Sequence, residues 1–404
     1  MKKIYLDNNA TTPIHPEVLD AMLPYLKDEF GNPSSIHWAG RNTRRGVDDA
    51  REKTAKLLNC DASEIIFTSC GSEGNNLAIK GVAESKKDKG NHIITTKVEH
   101  PAVLSTCKYL QKTGFDVTYL DVDSEGMLDL DQLKKAITPK TILITIMFAN
   151  NETGVIFPIE EIGNIAKGHN ISLHTDAVQA AGKIPIDVKK MNIDLLTISG
   201  HKLYAPKGVG ALYVKRGVRL TPLIQGGHQE RNRRGGTENV AGIVALGKAC
   251  EIAQRDMPEE IKHLAALRDR LQKGLMEKIA HVRLNGHPTK RTPNTVNLSF
   301  EYAEGESLLL NLDMKGIAAS SGSACTSGTL EPSHVLVAMG VPLEASHSSV
   351  RFSLGRGNTV EDIDYVIEVM PAMVERMRSM SPLYSTITGK GTDITFAESG
   401  SHSH

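Results

Sequence analysis

No apolar run in this chain approaches the roughly 20 residues a helix needs to cross a bilayer. The N-terminal Met1-Lys2-Lys3-Ile4-Tyr5-Leu6-Asp7 lacks the apolar stretch of a signal peptide. The expectation is a cytoplasmic protein with no membrane partner. Cysteine is scarce and unpaired. The 5 cysteines, Cys60, Cys70, Cys107, Cys250 and Cys325, are odd in number, widely spaced and without a C-x-x-C pair. That pattern argues against a disulfide framework and a zinc ribbon, so no metal is expected. An excess of charge of one sign is missing too: 47 basic residues stand against 47 acidic ones. Nucleic acid and anionic surfaces therefore have no electrostatic claim on the chain.

What is present is a globular composition, 40% hydrophobic and 23% charged, over 404 residues, enough for two sizeable cores. Strand-like runs recur at Glu64 to Ser69, His92 to Thr96, Thr118 to Val122, Ile142 to Phe148, Ile171 to Thr175, Asp194 to Ile198 and Val209 to Val214. Helical patterns lie between them at Glu73 to Lys87, Pro101 to Thr113, Leu130 to Ile137 and Ile159 to Lys167. This rhythm predicts an α/β fold with a mostly parallel seven-stranded sheet covered on both faces. An amphipathic helix from Asn239 to Arg255 is expected to end near Pro258. A smaller α+β unit follows, closing with a helix over Val360 to Met380 whose apolar face is Ile363, Val366, Ile367, Met370 and Val374. The expected division is an N-terminal arm (1–14) associated with the small domain, a large domain (15–258), a small domain (259–381) and a loose polar tail (382–404). The segment around Asn32-Pro33-Ser34-Ser35 reads as loop and short helices between the domains. Ser401-His402-Ser403-His404 is set aside from the functional reading.

Lys202 follows the strand-like Asp194 to Ile198, within Ser199-Gly200-His201-Lys202. A lysine at the end of a core strand can become a nucleophilic amine of the kind that forms a Schiff base. Taken alone it reads as a surface lysine. Asp176, at the end of the preceding apolar strand, changes that reading. An aspartate followed by a strand and a lysine is the pairing pyridoxal phosphate needs: an amine for the carbonyl and a carboxylate to keep the ring nitrogen protonated. Gly71 and Ser72 open a helix directly after a strand, so free amides and a hydroxyl meet there in a phosphate cradle. Ser199 and His201 flank the lysine and reach toward the same phosphate. His100 ends a strand before Pro101. It is either a plain polar residue before a helix or an imidazole lying on the cofactor ring and handling protons. Asn151 lies at the same sheet edge, outside the carboxyl ends of the strands where such sheets bind ligands. Arg351, between apolar neighbours, either pairs with a structural carboxylate or clamps a substrate carboxylate with its planar fork. Cys325 differs from the other cysteines, for the Gly- and Ser-rich stretch around it offers almost nothing that could pack a core.

Taken together, the stretches Tyr5 to Thr12, Phe30 to Ser35, Val98 to Val103, Ala149 to Gly154, His174 to Gln179, Thr197 to Ala205, Gly226 to Glu230, Arg233 to Asn239 and Val350 to Leu354 resemble the cysteine desulfurases. That group includes the nitrogen-fixation enzyme NifS and its housekeeping relatives. The resemblance implies a fold-type I PLP-dependent transferase that is an obligate homodimer. It implies Lys202 as the cofactor lysine, Asp176 at the ring nitrogen, Gln179 at the ring hydroxyl and His100 over the ring. Gly71, Ser72, Ser199, His201 and the partner subunit's Thr237 would hold phosphate. Asn151, Arg351 and Asn32 would bind the substrate carboxylate. Cys325 would take sulfur from L-cysteine and pass it to an acceptor protein such as an iron-sulfur cluster scaffold. Many relatives carry threonine where Ser72 stands and a polar residue at Gly74, and Gly74 is expected to weaken the helix start slightly. A selenocysteine lyase or small aminotransferase on the same fold is the nearest alternative, though an aminotransferase has no use for Cys325. A thiol-based sulfur carrier without pyridoxal chemistry would leave Lys202, Asp176 and Ser72 unexplained.

Overall fold

The computed structural model describes residues 2–321, 332–381 and 384. The chain begins with a short strand, β1 (Ile4–Tyr5), and two helices, α1 (Pro16–Lys27) and α2 (Trp38–Leu58). The large domain then alternates β2 (Ile65–Thr68), α3 (Gly71–Lys86), β3 (His92–Thr96), α4 (Pro101–Lys112), β4 (Asp116–Leu120), α5 (Leu130–Ala136), β5 (Thr141–Thr145), α6 (Ile159–Gly168), β6 (Ser172–Asp176), β7 (Leu195–Ser199) and β8 (Gly210–Val214). These strands form one 7-stranded sheet in the order β2-β8-β7-β6-β5-β3-β4. Only β8 runs against the rest, pairing antiparallel with β2 and β7. All of its strands except the edge strand β4 are buried along their whole length. Helices on both faces require that, and the near-continuous Ile, Leu and Val runs supply it.

The expected strands are all present, with slightly different ends. The strand expected to reach Phe148 ends at Thr145, and the expected loop-rich N-terminal segment holds the 21-residue helix α2. The N-terminal half of its buried face is mostly small residues, Ala39, Gly40, Thr43, Gly46 and Ala50, and Val47, Leu57 and Leu58 complete the face. Small residues are what close helix packing needs here. A Cβ on Gly247 would stand 2.4 Å from Ala50 Cα.

After a short α7 (Gln229–Asn232), helix α8 (Val240–Lys278) runs for 39 residues straight through Pro258. The expected end at Pro258 and the domain boundary placed there are thus both inside a helix. An internal proline costs about 3 kcal/mol. Burial on both sides offsets it: Ala245, Leu246 and Ile252 join the large core, while Leu264, Leu267, Leu271 and Leu275 join the second core. That second core is closed by β9 (Val282–Asn285), β10 (Thr295–Phe300), α9 (Gly305–Met314), β11 (Ile317–Ala318), β12 (Ser349–Ser353) and α12 (Val360–Ser379), while α10 (His334–Ala338) and α11 (Leu343–His347) return Val335, Leu336 and Ala345 to the large core. Its sheet is antiparallel, in the order β12-β10-β9, and α12 buries the expected apolar face. The arm strand β1 pairs in parallel with β11, Ile4 opposite Ile317.

His174, in the middle of the large sheet, is fully buried, with Nδ1 2.8 Å from Thr145 Oγ1 and Nε2 3.1 Å from Thr197 Oγ1. Burial pulls its pKa from 6.5 down to about 3. The unfolded chain takes that proton near 6.5, so the stability is complete above this pH and lost as pH falls toward 3. We expect urea midpoints to decline from pH 6.5 to pH 4, and His174→Gln, which cannot be protonated there, to flatten the decline. Equal pH slopes for the two proteins would contradict the assignment.

Candidate active site

The carboxyl ends of β2, β3, β5, β6 and β7 open onto one cleft with about 1260 Å³ of atom-free space. Gly71, Ser72, His100, Asn151, Asp176, Gln179, Ser199, His201, Lys202 and Arg351 all line it. Asn32 and Thr237 do not. Asn32 is exposed between α1 and α2, where its Oδ1 accepts the Ser34 amide at 2.9 Å, so a local turn occupies it. Thr237 is exposed in the loop before α8 and does not line the cleft. Cys325 and its loop lie outside the described residues, as does the tail 382–404 apart from Tyr384.

Asp176 is the last residue of β6 and is buried. Its Oδ2 accepts from Asn75 Nδ2 at 2.6 Å and its Oδ1 from the Val178 amide at 3.0 Å. Two donors on separate elements hold the carboxylate at the strand end. Lys202 closes the 3-10 turn after β7, and its Nζ donates to the carbonyls of Asn9 and Ala10. His100 caps α4, its Nδ1 accepting the Ala102 amide at 3.1 Å. The neutral ring therefore carries its proton on Nε2. Burial, helped by Lys202 and His334 and opposed by Asp176, lowers its pKa and keeps the ring neutral. His201 is likewise neutral: burial, then Lys202, Lys207 and Lys183, bring it down to about 4. Arg351 is 2% exposed, with Nη2 2.8 Å from Asp7 Oδ1 and Nη1 donating to the Asn151 carbonyl at 3.0 Å. The structural carboxylate partner is thus real, and it aims the guanidinium at the cleft rim.

The other end of the cleft is the start of α3. A Cβ on Gly71 would stand 2.8 Å from Val178 Cγ2 and 3.4 Å from Ser199 Cβ, so only glycine lets the helix start this close to β7. Gly74 has a similar reason: a Cβ there would meet Thr197 Cγ2 at 2.7 Å. The propensity lost at Gly74, about 1 kcal/mol, is the condition for seating α3 on the sheet. Ser72 offers an exposed hydroxyl in the first turn. Ser199 Oγ is buried and finds no partner among the described residues. An orphaned buried hydroxyl costs about 1–3 kcal/mol, and one beside a helix N-terminus fits a phosphate oxygen.

A cleft at parallel strand ends, holding a lysine, a doubly anchored aspartate and an oxyanion cradle with an unfilled hydroxyl, defines a fold-type I pyridoxal phosphate enzyme. Residues 4–366 match the family described as Aminotransferase class-V. The chain belongs to that pyridoxal-phosphate-dependent family, among its cysteine desulfurases. It is 58% identical over 382 residues to the protein named "Cysteine desulfurase IscS" of Methanosarcina thermophila, covering 95% of this chain and 94% of that one. The protein of the same name from Dictyoglomus turgidum is 54% identical over 381 residues, covering 94% and 97%. Among solved structures, a "NIFS-LIKE PROTEIN" superposes with a TM-score of 0.88 at 40% identity, over 93% of this chain and 100% of that one. An apo cysteine desulfurase from Thermococcus onnurineus NA1 gives 0.84 at 27% identity, covering 93% and 95%.

Several contributors escaped the sequence reading. Asn75 lies one turn beyond Gly71 on α3, a spacing that places both toward the cleft and was legible in principle. Asn9 and Ala10 act through carbonyls, which no side-chain motif reveals. His334, first residue of α10, lines the cleft with Nε2 donating to the Glu99 carbonyl at 2.9 Å. Glu99 is buried, its Oε1 accepting from Thr96 Oγ1 and the Met147 amide at 2.8 and 3.0 Å, and burial raises its pKa to about 8. It is mostly a neutral acid at pH 7, tying β3 to β5 beneath His100.

Because Ser199 Oγ is buried and bonds nothing in the described protein, Ser199→Ala is expected to leave the unfolding midpoint of the cofactor-free protein no lower than that of the wild type. The same variant is expected to weaken pyridoxal phosphate binding about tenfold, the loss of one hydrogen bond to a charged group. Equilibrium dialysis against the free cofactor measures the second quantity. Undiminished affinity would remove Ser199 from the phosphate site.

Proposed function

We propose that the chain is a pyridoxal-phosphate-dependent cysteine desulfurase that converts L-cysteine to L-alanine and leaves the sulfur as a persulfide on Cys325. The observation that carries this reading is the convergence of Lys202, Asp176 and the unpartnered Ser199 hydroxyl in one cleft of a chain more than half identical to named desulfurases. Lys202 is the amine that takes the cofactor. Ser72, Ser199, His201, the α3 amides and Thr237 of the partner subunit hold its phosphate. Asp176 keeps the proton on the ring nitrogen, and Gln179 meets the ring oxygen. Bound there, pyridoxal phosphate supplies an electron sink that weakens bonds at the substrate's Cα and Cβ.

Arg351 holds the substrate carboxylate, its fork kept in place by Asp7 and the Asn151 carbonyl. Asn151 supports the same carboxylate, with Asn32 a further contributor. Neutral His100 moves protons near the reacting atoms, for an imidazole kept uncharged near pH 7 both takes and returns them. The Cys325 thiolate attacks the substrate sulfur, and the carbon–sulfur bond breaks. The sulfur stays on Cys325, while the substrate carbon collects a proton and leaves as alanine. From Cys325 the sulfur passes to an acceptor such as an iron-sulfur cluster scaffold, in a reducing cytoplasm that keeps the thiol free. Homodimer formation is supported by the exposed apolar residues Phe30, Ile36 and Trp38, 79%, 91% and 62% exposed, and by a Thr237 loop that does not line the cleft.

Borohydride treatment of the yellow holoenzyme is expected to fix the cofactor to the peptide containing Lys202; label on another lysine would refute that role. For sulfur transfer, Cys325→Ser is expected to keep fold, dimer and cofactor colour yet make no alanine. Wild-type protein given L-cysteine should gain one sulfur on the Cys325 peptide by mass spectrometry. Desulfuration by Cys325→Ser at the wild-type rate would instead favour a lyase or aminotransferase.

A further inference from the structure

A side-chain amide donates at one end and accepts at the other, so the end that faces a ligand decides what it binds. At Gln179 a neighbour four residues on, in the turns after β6, makes that choice. Lys183 Nζ lies 2.6 Å from Gln179 Oε1 and 3.3 Å from Asn9 Oδ1. Nζ donates to Oε1, and the Asn9 carbonyl can only accept, so the two contacts together give Oε1 to Lys183 and turn Nε2 away from it. Nε2 accordingly donates to the Asn9 carbonyl at 2.9 Å. Its second hydrogen remains for the cleft that Gln179 lines.

We propose that Lys183 is a positioning residue which, by holding Gln179 Oε1, makes Gln179 an obligate donor to the phenolic oxygen of pyridoxal phosphate. The inference rests on the reading of the cleft as the pyridoxal phosphate site. A second observation separates this role from plain packing. Among the described residues no carboxylate oxygen lies within ion-pair distance of Lys183 Nζ, and its two hydrogen-bond partners are neutral amides. Burial, then the charges of Lys202 and Arg351, bring its pKa down to about 7, with Glu260 pulling the other way. His15, Tyr204 and Arg356 line the small void it shares with Glu260. Burying a cation in such company is unfavourable, and an apolar side chain of the same length would fill the space without that penalty. What requires a donor there is the short contact to Gln179, with Asn9 Oδ1 as the longer second acceptor.

The test compares wild type, Lys183→Met, Gln179→Ala and the double variant, each loaded with pyridoxal phosphate, by the pH midpoint of the cofactor's visible band. Without a fixed donor the ring oxygen holds its charge less easily, so Lys183→Met is expected to move the midpoint up by about one pH unit. Gln179→Ala is expected to do the same, and Lys183→Met to add nothing on that background. An equal Lys183→Met shift in both backgrounds would mean that Lys183 acts as a bare charge, and would overturn the proposal. A shifted Gln179→Ala beside an unshifted Lys183→Met would overturn it alone. An unshifted Gln179→Ala would overturn it together with the placement of Gln179 at the ring oxygen. Should Lys183→Met not fold, Lys183→Gln, which offers Gln179 either end of an amide, takes its place with a smaller shift in the same direction expected.

Discussion

Every polar atom of Asn9 is engaged, and the site hangs on that one residue. Its amide donates to Ser353 Oγ and its Nδ2 to Thr295 Oγ1 and the Asn151 carbonyl, at 2.9, 2.9 and 3.1 Å. Its Oδ1 accepts from Asn294 Nδ2 at 3.1 Å, and its carbonyl receives both Gln179 and Lys202. Thr295 and Ser353 belong to the small-domain sheet, Asn151 to the loop after β5, and Lys202 and Gln179 to the large domain. An asparagine 3% exposed thus joins the arm and both cores at the point where Lys202 Nζ sits. Fully satisfied buried networks of this kind specify one arrangement, because any slip leaves several groups unpaired at once.

The charge of the site follows from the same economy of partners. Lys202, Lys183 and Arg351 bring positive charge to the cleft and its floor. His100 and His201 are held neutral by burial and by those neighbours. Of the nearby carboxyls, burial drives Glu99 and Glu152 toward their protonated forms. The result is a basin that favours anions, with the Asp176 carboxyl fixed at its strand end by Asn75 and the Val178 amide. Phosphate and an amino-acid carboxylate are the anions that such a basin suits.

Much of this was legible in the sequence. Buried parallel strands write themselves as Ile, Leu and Val runs, and residues just past those runs fall at one sheet edge, so the Asp176 and Lys202 neighbourhoods could be placed together without coordinates. Helix α2 was not read because its helical period of buried positions is filled in its first half mostly by small residues, with Val47, Leu57 and Leu58 as the few large apolar ones. Helix α8 was cut short at Pro258 because local propensity says nothing of burial on two cores. Within the site, side chains that carry chemistry by type were found. Asn9, Ala10 and Asn75, which act by holding others, were missed because their importance is a matter of geometry alone. Asn32 and Thr237 show the converse: motif resemblance names a residue that does not line this chain's own cleft.

Helix α8 behaves as an axle. Its first half is embedded in one core and its second half in the other, and near the middle Arg356 fastens to Asp256 and Glu260 at 2.9 and 2.8 Å. Two bodies mounted on one stiff rod cannot swing about a slack connector. Any relative rotation has to flex the rod itself, most easily at Pro258, where the helix ladder lacks one rung to the Gln254 carbonyl. Shape change during turnover is thereby steered away from the bodies and into the segments that rim the cleft, and the spacing between the Lys202 and Arg351 ends of the cleft is set by the axle.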